Sequence, residues 1–201
     1  LRVGQINETW VMVSRTGSTG EPICFEIFIL RERLEFLWQW ILLEGEREGI
    51  APVGLGARDS LRLEAGLVLY GNELGLDTEG KEIPIYAMLP AARVTVSFSS
   101  LKGEFVGREA LAAQFEEVNG RENDYPLPPK EKRVVPKSIM PFLISGQGIA
   151  RRGYEVFVEG KVVGHVTSGT MVPYWVFSEA GILGKAANEK RMRPIGLAYV
   201  H

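Results

Sequence analysis

Residues 54–66 read GLGARDSLRLEAG, a charged and apolar stretch with glycines at both ends. Arg58 and Arg62 stand four positions apart, which places them on one side of a helix. Gly66 follows as a residue that commonly ends helices. The stretch therefore predicts a helix over residues 54–65, and the glycines at its start let another backbone or a ligand approach closely.

Two strands and another helix are expected before this stretch. Residues 10–14 (WVMVS) and 25–30 (FEIFIL) are rich in strand-forming residues, and the glycines and proline of residues 16–22 predict a connecting loop. From Leu30 the apolar residues recur at i, i+4, i+7, i+8, i+11 and i+12, which predicts a helix ending near Gly45. Three more apolar residues widen the apolar stripe of this helix: Phe36, Trp40 and Leu43. We therefore expect the helix to be buried on most sides.

The chain changes character after residue 120. A third helix is predicted over residues 107–118, and the proline- and lysine-rich residues 125–136 have the composition of a linker. Only strand patterns follow, at residues 139–144, 154–158, 162–167 and 195–200, the middle two forming a hairpin. We expect an α+β fold in which residues 1–124 combine an antiparallel sheet with helices and residues 137–201 form a small all-β, barrel-like domain.

Composition argues against several classes of protein. The 23 Lys and Arg against 25 Asp and Glu give a net charge of −2, with no charge block typical of a nucleic-acid or membrane-surface binder. The longest apolar stretch, residues 36–43, is far shorter than the roughly 20 residues that span a bilayer, so we expect a soluble protein. The lone Cys24 excludes an internal disulfide framework and points to a reducing, cytoplasmic compartment. The two histidines, His165 and His201, are too few for a His-rich metal site, and we expect no metal.

The common catalytic templates are missing. There is no phosphate-binding Gly-x-x-x-x-Gly-Lys-Ser/Thr sequence and no Gly-x-Ser-x-Gly nucleophile elbow. In the short Gly146-Gln147-Gly148 motif, Arg151 stands where the dinucleotide fingerprint has its third glycine. Cys24 has no neighbouring base in the sequence, which favours a small buried residue over a nucleophile. The residues alone therefore assign no acid, base or nucleophile.

Two charged residues are candidates for ligand binding. Glu26 interrupts the apolar strand at residues 25–30, where a carboxylate must be solvated, paired or bound to a ligand. It is either an exposed strand residue or the acceptor of two parallel N–H bonds from a planar heterocycle or guanidinium. Arg58 either belongs to the solvated face of its helix, with Asp59 and Arg62, or binds an anionic ligand or Glu26.

Several segments, in this order, resemble the aminomethyltransferase (T-protein) family of the glycine cleavage system. They are SRTGSTGEPICFEI at 14–27, GLGARDSLRLEAG at 54–66 followed by LVLYGNEL, FVGREAL at 105–111, ARRGYEVFVEGKVVGHVTSGTMVP at 150–173 and PIGLAYV at 194–200. The resemblance implies transfer of the aminomethyl carbon from the lipoyl arm of H-protein to tetrahydrofolate, with release of ammonia. It also implies that Glu26 binds the pterin ring and that Arg58 belongs to the folate site.

The sequence departs from the family in three respects. Ser18 stands where the family usually has Tyr, which favours folate-dependent demethylases or folate domains of sarcosine or dimethylglycine dehydrogenases as an alternative. A non-catalytic folate-binding protein that keeps the fold is a separate alternative. The family's catalytic acid lies before the position of Leu1, so no catalytic residue is assigned and we expect this chain to be inactive alone. The family also continues past His201, and we expect a truncated barrel whose open strand edges, within residues 154–200, cause self-association.

Overall fold

The structure, a computed structural model, describes residues 1–17, 19–123, 125–178 and 184–201. Two compact units divide the chain, Leu1–Leu67 and Val68–His201. The expected domain boundary at residue 124, which lies outside the described residues, and the expected linker at 125–136 stay predictions. None of the described helices is long and apolar enough to cross a membrane.

The unit Leu1–Leu67 contains a three-stranded antiparallel sheet and two helices. Its strands are β1 (Arg2–Ile6), β2 (Thr9–Thr16) and β3 (Cys24–Ile29), in the order β1-β2-β3. Its helices are α1 (Leu34–Gly45) and α2 (Leu55–Glu64). The strands expected near residues 10–14 and 25–30 and both expected helices are present, and β1 is an additional strand.

Helix α1 is much less buried than its wide apolar stripe predicts. Leu37 and Gly45 are buried, whereas Trp38 is 53% and Leu43 is 69% exposed. The expectation of burial on most sides is wrong, because only one side of the helix finds packing partners among the described residues of this unit. A stripe in the sequence shows which side can be buried, and a neighbouring layer is needed to bury it.

The unit Val68–His201 contains two helices and a four-stranded sheet. The helices are α3 (Leu89–Thr95) and α4 (Arg108–Glu122), and the strands are β4 (Ser138–Leu143), β5 (Glu155–Val158), β6 (Lys161–Phe177) and β7 (Ala186–Val200). All pairs are antiparallel, in the order β4-β7-β6-β5, and three register shifts curl the sheet into a half-barrel. This architecture confirms the α+β fold class.

A small core joins the helices to this sheet. Val118 of α4 and Tyr199 of β7 are buried together with Tyr86 and Val135. The buried Glu117 carboxylate pairs with Arg121 and accepts hydrogen bonds from the backbone N–H groups of Val134, at 2.6 Å, and Val135, at 3.4 Å. Glu117 therefore fixes the segment that leads into β4, because a buried carboxylate is tolerated only when it is fully paired.

Candidate functional site

The loop between β2 and β3 packs directly on helix α2. Gly20 has a φ of +112°, a conformation that L side chains rarely adopt. A Cβ atom at this position would lie 2.6 Å from the carbonyl oxygen of Leu61 and 3.0 Å from its Cγ. Glycine is therefore required for the loop to lie this close to α2.

The loop is also closed on itself by side-chain hydrogen bonds. The Cys24 thiol donates to the carbonyl oxygen of Glu21 at 3.1 Å, and its sulfur lies 2.6 Å from the Thr19 hydroxyl oxygen. Cys24 is half-buried rather than a fully buried small residue, so the expectation of burial is only partly met. These bonds hold Thr19 at the edge of the loop that faces α2.

A cavity of about 460 Å³ lies between the loop and the start of α2. Its volume falls in the range of roughly 300–1,000 Å³ that is typical of small-molecule sites. Thr19 and Arg58 supply its polar groups, and the other lining residues are apolar or glycine: Val53, Gly54, Leu55, Ala57 and Leu61. A Cβ atom on Gly54 or Gly56 would meet nothing within 4 Å, so the approach to the helix start is open.

Arg58 and Arg62 have opposite environments although they stand four residues apart. Arg62 is only 1% exposed, and its guanidinium lies 2.6 Å from the Asp59 carboxylate and donates to the carbonyl oxygen of Leu67 at 3.0 Å. It is therefore not part of a solvated helix face, which corrects that alternative. Arg58 is exposed and lines the cavity, so it is the arginine of α2 that is placed to meet a ligand.

Glu26 lies on β3, opposite Ser14 of β2, and is exposed. It does not line the cavity beside Arg58, and no ion pair joins these two residues among those that the structure describes. The two predicted site residues therefore lie in the same unit but are not paired with each other. Ser18, the position of the missing family Tyr, lies outside the described residues.

A second polar cluster lies in the unit Val68–His201. The His165 ring nitrogen Nδ1 is 3.4 Å from the Thr78 hydroxyl, and the ring meets Tyr199 edge-on. Burial, with a smaller contribution from Lys137, lowers the pKa of His165, so the neutral ring is favoured. Over the described parts of the chain, no group of three or more His, Cys, Asp or Glu residues is arranged to hold a metal ion.

Comparison with known proteins points to one family. Residues 1–89 match the family model described as the GCVT N-terminal domain. The chain is 41% identical over 162 residues to an aminomethyltransferase of Caldanaerobacter subterraneus subsp. tengcongensis, covering 81% of this chain and 36% of that protein. It is 38% identical over 170 residues to one of Moorella thermoacetica, covering 85% of this chain and 39% of that protein.

A solved structure shows the same fold. The glycine cleavage system aminomethyltransferase T from Bartonella henselae aligns with a TM-score of 0.59 at 24% sequence identity, covering 94% of this chain and 41% of that one. The chain thus spans about two fifths of the length of the relatives that it matches.

Proposed function

Because the chain belongs to the aminomethyltransferase family, we propose that its unit Leu1–Leu67 carries part of a tetrahydrofolate site. The observation that supports this most strongly is the cavity between the β2–β3 loop and α2, which is apolar apart from Arg58 and Thr19. A folate has a flat heterocyclic ring at one end and carboxylates at the other. An apolar cavity with one cation at its edge suits such a molecule.

Arg58 is proposed to neutralise negative charge on the bound folate. Its guanidinium is always charged and offers planar, paired donors that match a carboxylate. Its position in the first turns of α2 adds the positive end of the helix dipole to the same region. Both effects favour an anionic group at this edge of the cavity.

Glu26 is proposed to hold the pterin ring. A pterin presents a ring N–H and an amino group side by side, and one carboxylate can accept both hydrogen bonds. Glu26 is exposed among apolar neighbours on β3, so its oxygens are free to accept such bonds. Phe28 lies two residues further on the same face of β3, is 49% exposed and offers apolar surface near the ring.

The reaction proposed for the whole protein is the transfer of an aminomethyl carbon from the lipoyl arm of H-protein to tetrahydrofolate, with release of ammonia. Tetrahydrofolate supplies the accepting nitrogen, and the chain's residues bind and orient it. No residue of this chain is assigned as the catalytic acid. We expect the purified 201-residue chain not to transfer the aminomethyl group, and we place the reaction in the cytoplasm, where the lone Cys24 stays reduced.

Calorimetry with tetrahydrofolate tests the site. We expect Glu26→Gln and Arg58→Gln each to weaken binding roughly 10- to 100-fold, since a hydrogen bond to a charged group is worth about 1.5–3 kcal/mol. Glu48→Gln and Arg47→Gln are matched controls, because both residues are exposed charges in the same unit, away from the cavity, and should leave binding unchanged. Equal binding by all variants would show the site assignment to be wrong, and no binding by the wild type would contradict folate binding by this chain.

A further inference from the structure

A polar cavity of about 400 Å³ lies within the unit Val68–His201. Its lining includes both histidines of the chain, His165 and His201, together with Lys137. Two acidic residues, Glu79 and Glu155, also line it. The volume falls within the roughly 300–1,000 Å³ of small-molecule sites, so the cavity is large enough to hold a ligand.

The pairing of the strands brings the basic groups of this cavity to one face of the sheet. His165 of β6 stands directly opposite Tyr199 of β7, and Tyr199 stands opposite Ile139 of β4, so the three side chains share a face. Lys137 immediately precedes β4, and its ammonium lies 5.4 Å from the centre of the Tyr199 ring. The hydroxyl of Thr78, in the loop on this face, lies 3.4 Å from the His165 ring nitrogen Nδ1. The strand register therefore assembles the cavity from residues that are far apart in the sequence.

The basic groups of the cavity have donors left for a ligand. Lys137 takes part in none of the ion pairs between described residues. His165 is only 7% exposed, and Nδ1 makes its one hydrogen-bond contact to the described residues, which leaves Nε2 without one. In His201, Nδ1 lies 3.2 Å from the carbonyl oxygen of Pro136. A carbonyl can only accept, so Nδ1 of His201 carries the proton, and Nε2 is the nitrogen left for a ligand.

Most of the acidic groups around the cavity already have partners. The Glu79 carboxylate pairs with Lys81 at 2.8 Å. Asp77 accepts hydrogen bonds from the backbone N–H groups of Glu79 and Lys81, at 2.8 and 2.9 Å. Glu155 is in none of the ion pairs between described residues, but it is exposed on β5, whereas Lys137 is half-buried. Water and salt screen an exposed charge more than a half-buried one, so the cavity favours an anion.

We propose that this cavity, which we call the His165 cavity, binds a small oxyanion, either phosphate or the carboxylate of a small molecule. Lys137 supplies the charge, and the Thr78 hydroxyl and the two histidine rings supply hydrogen-bond donors. This donor set suits an oxyanion, because hydrogen bonds between charged partners are the strong ones. A metal ion, another common ligand of histidines, finds no suitable group of residues in the described parts of the chain. The proposal does not depend on the folate site, since all of these residues belong to the unit Val68–His201.

NMR of the histidine rings tests the proposal directly. The chain has two histidines and both line the His165 cavity, so every histidine ring signal reports on this cavity. The 201-residue chain is titrated with inorganic phosphate and, separately, with succinate, each against sodium chloride at equal ionic strength. We expect at least one of the two oxyanions to shift both sets of ring signals saturably, and the arm that responds identifies the ligand as a phosphate or a carboxylate. If neither shifts them beyond the effect of chloride, the proposal is overturned.

The same spectra show whether the anion lies close to the His165 ring. The charged groups that already act on this ring are Lys137, Arg152, Asp77 and Glu79. A bound anion adds a negative charge and stabilises the imidazolium, so the oxyanion that binds should raise the pKa of His165. An unchanged pKa of His165 at saturation would contradict binding in the His165 cavity.

Variants assign the binding to the charge of Lys137. Lys137→Gln should weaken oxyanion binding about tenfold or more, because it removes a charge-assisted donor, and Lys137→Arg should keep most of the affinity. Lys102→Gln is the matched control, since Lys102 also lies over an aromatic ring, that of Phe105 at 3.9 Å, in the same unit but outside the cavity. Glu155→Gln removes a like charge and should bind at least as tightly as the wild type. Circular dichroism verifies that each variant is folded. The proposal is overturned if Lys137→Gln binds as Lys102→Gln does, or if Glu155→Gln binds more weakly than the wild type.

Discussion

Replacing Gly20 by alanine tests how the β2–β3 loop forms the cavity. The added Cβ would lie 2.6 Å from the Leu61 carbonyl oxygen, closer than real Cβ contacts ever come, so the loop or α2 must move. Gly20 also has a φ of +112°, so alanine adds backbone strain. We therefore expect Gly20→Ala to push the loop away from α2 and to widen the cavity beside Arg58.

The expected loss of stability follows from these two effects. Overpacking costs about 1–3 kcal/mol, and a strained backbone conformation costs a further 1–3 kcal/mol or so. The free energy of unfolding of the unit Leu1–Leu67 should fall by about 2–6 kcal/mol. Gly17 is a close control in the same loop, because a Cβ there meets only the Glu21 carbonyl oxygen, at 3.9 Å.

Urea unfolding followed by tryptophan fluorescence measures this loss. Trp10, Trp38 and Trp40 lie in the unit Leu1–Leu67, and Trp175 lies in the other. Tetrahydrofolate binding to the same two variants should weaken for Gly20→Ala and stay unchanged for Gly17→Ala. If Gly20→Ala unfolds and binds as Gly17→Ala does, the loop does not pack on α2 as described.

Three further predictions concern the unit Val68–His201. Glu117→Ala should destabilise this unit by about 3–5 kcal/mol in urea unfolding, because Arg121 and two backbone N–H groups lose their buried acceptor. As a control, Glu109→Ala removes an exposed charge and should cost under about 0.5 kcal/mol. Burial lowers the pKa of His165, so the unfolded chain binds more protons than the folded one just below pH 6.5. Stability should fall as the pH drops below 6.5, and His165→Gln should flatten this slope in urea midpoints measured from pH 5 to 8. Within residues 154–200, β5 is the described strand that lies at an edge of its sheet, and this edge should cause self-association; sedimentation of a clean monomer at high concentration would argue against it.

The sequence predicted elements wherever a periodic apolar pattern was strong. Strands β2 and β3 and helices α1, α2 and α4 lie where their patterns place them. Strands β6 and β7 are far longer than expected. In the sequence, Pro173, Pro194 and the charged residues near the start of β7 interrupt the alternation of apolar and polar residues, whereas the main-chain pairing of the two strands continues through these positions. The sequence does not predict strand β1, because this strand is short, mostly exposed and without an apolar alternation, and it is held by its pairing with β2.

The residue types of the candidate site can be predicted from the sequence, but their arrangement in space cannot. Arg58 and Arg62 are equivalent in a helical pattern, and only packing shows that one is buried in an ion pair while the other lines a cavity. The contact between Gly20 and Leu61 joins segments far apart in the chain, which no local pattern reveals. The clearest signal of this contact in the sequence is Gly20 itself, a residue without a side chain in the loop between two predicted strands.

Hydrogen exchange with and without tetrahydrofolate shows whether the β2–β3 loop, β3 and the first turns of α2 form one folate-binding region, as we propose. Added tetrahydrofolate should slow amide exchange in peptides covering residues 15–29 and 54–62, and it should leave peptides of β6 and β7 unchanged. Unchanged exchange in both of the first two segments, or protection confined to the unit Val68–His201, would contradict the account.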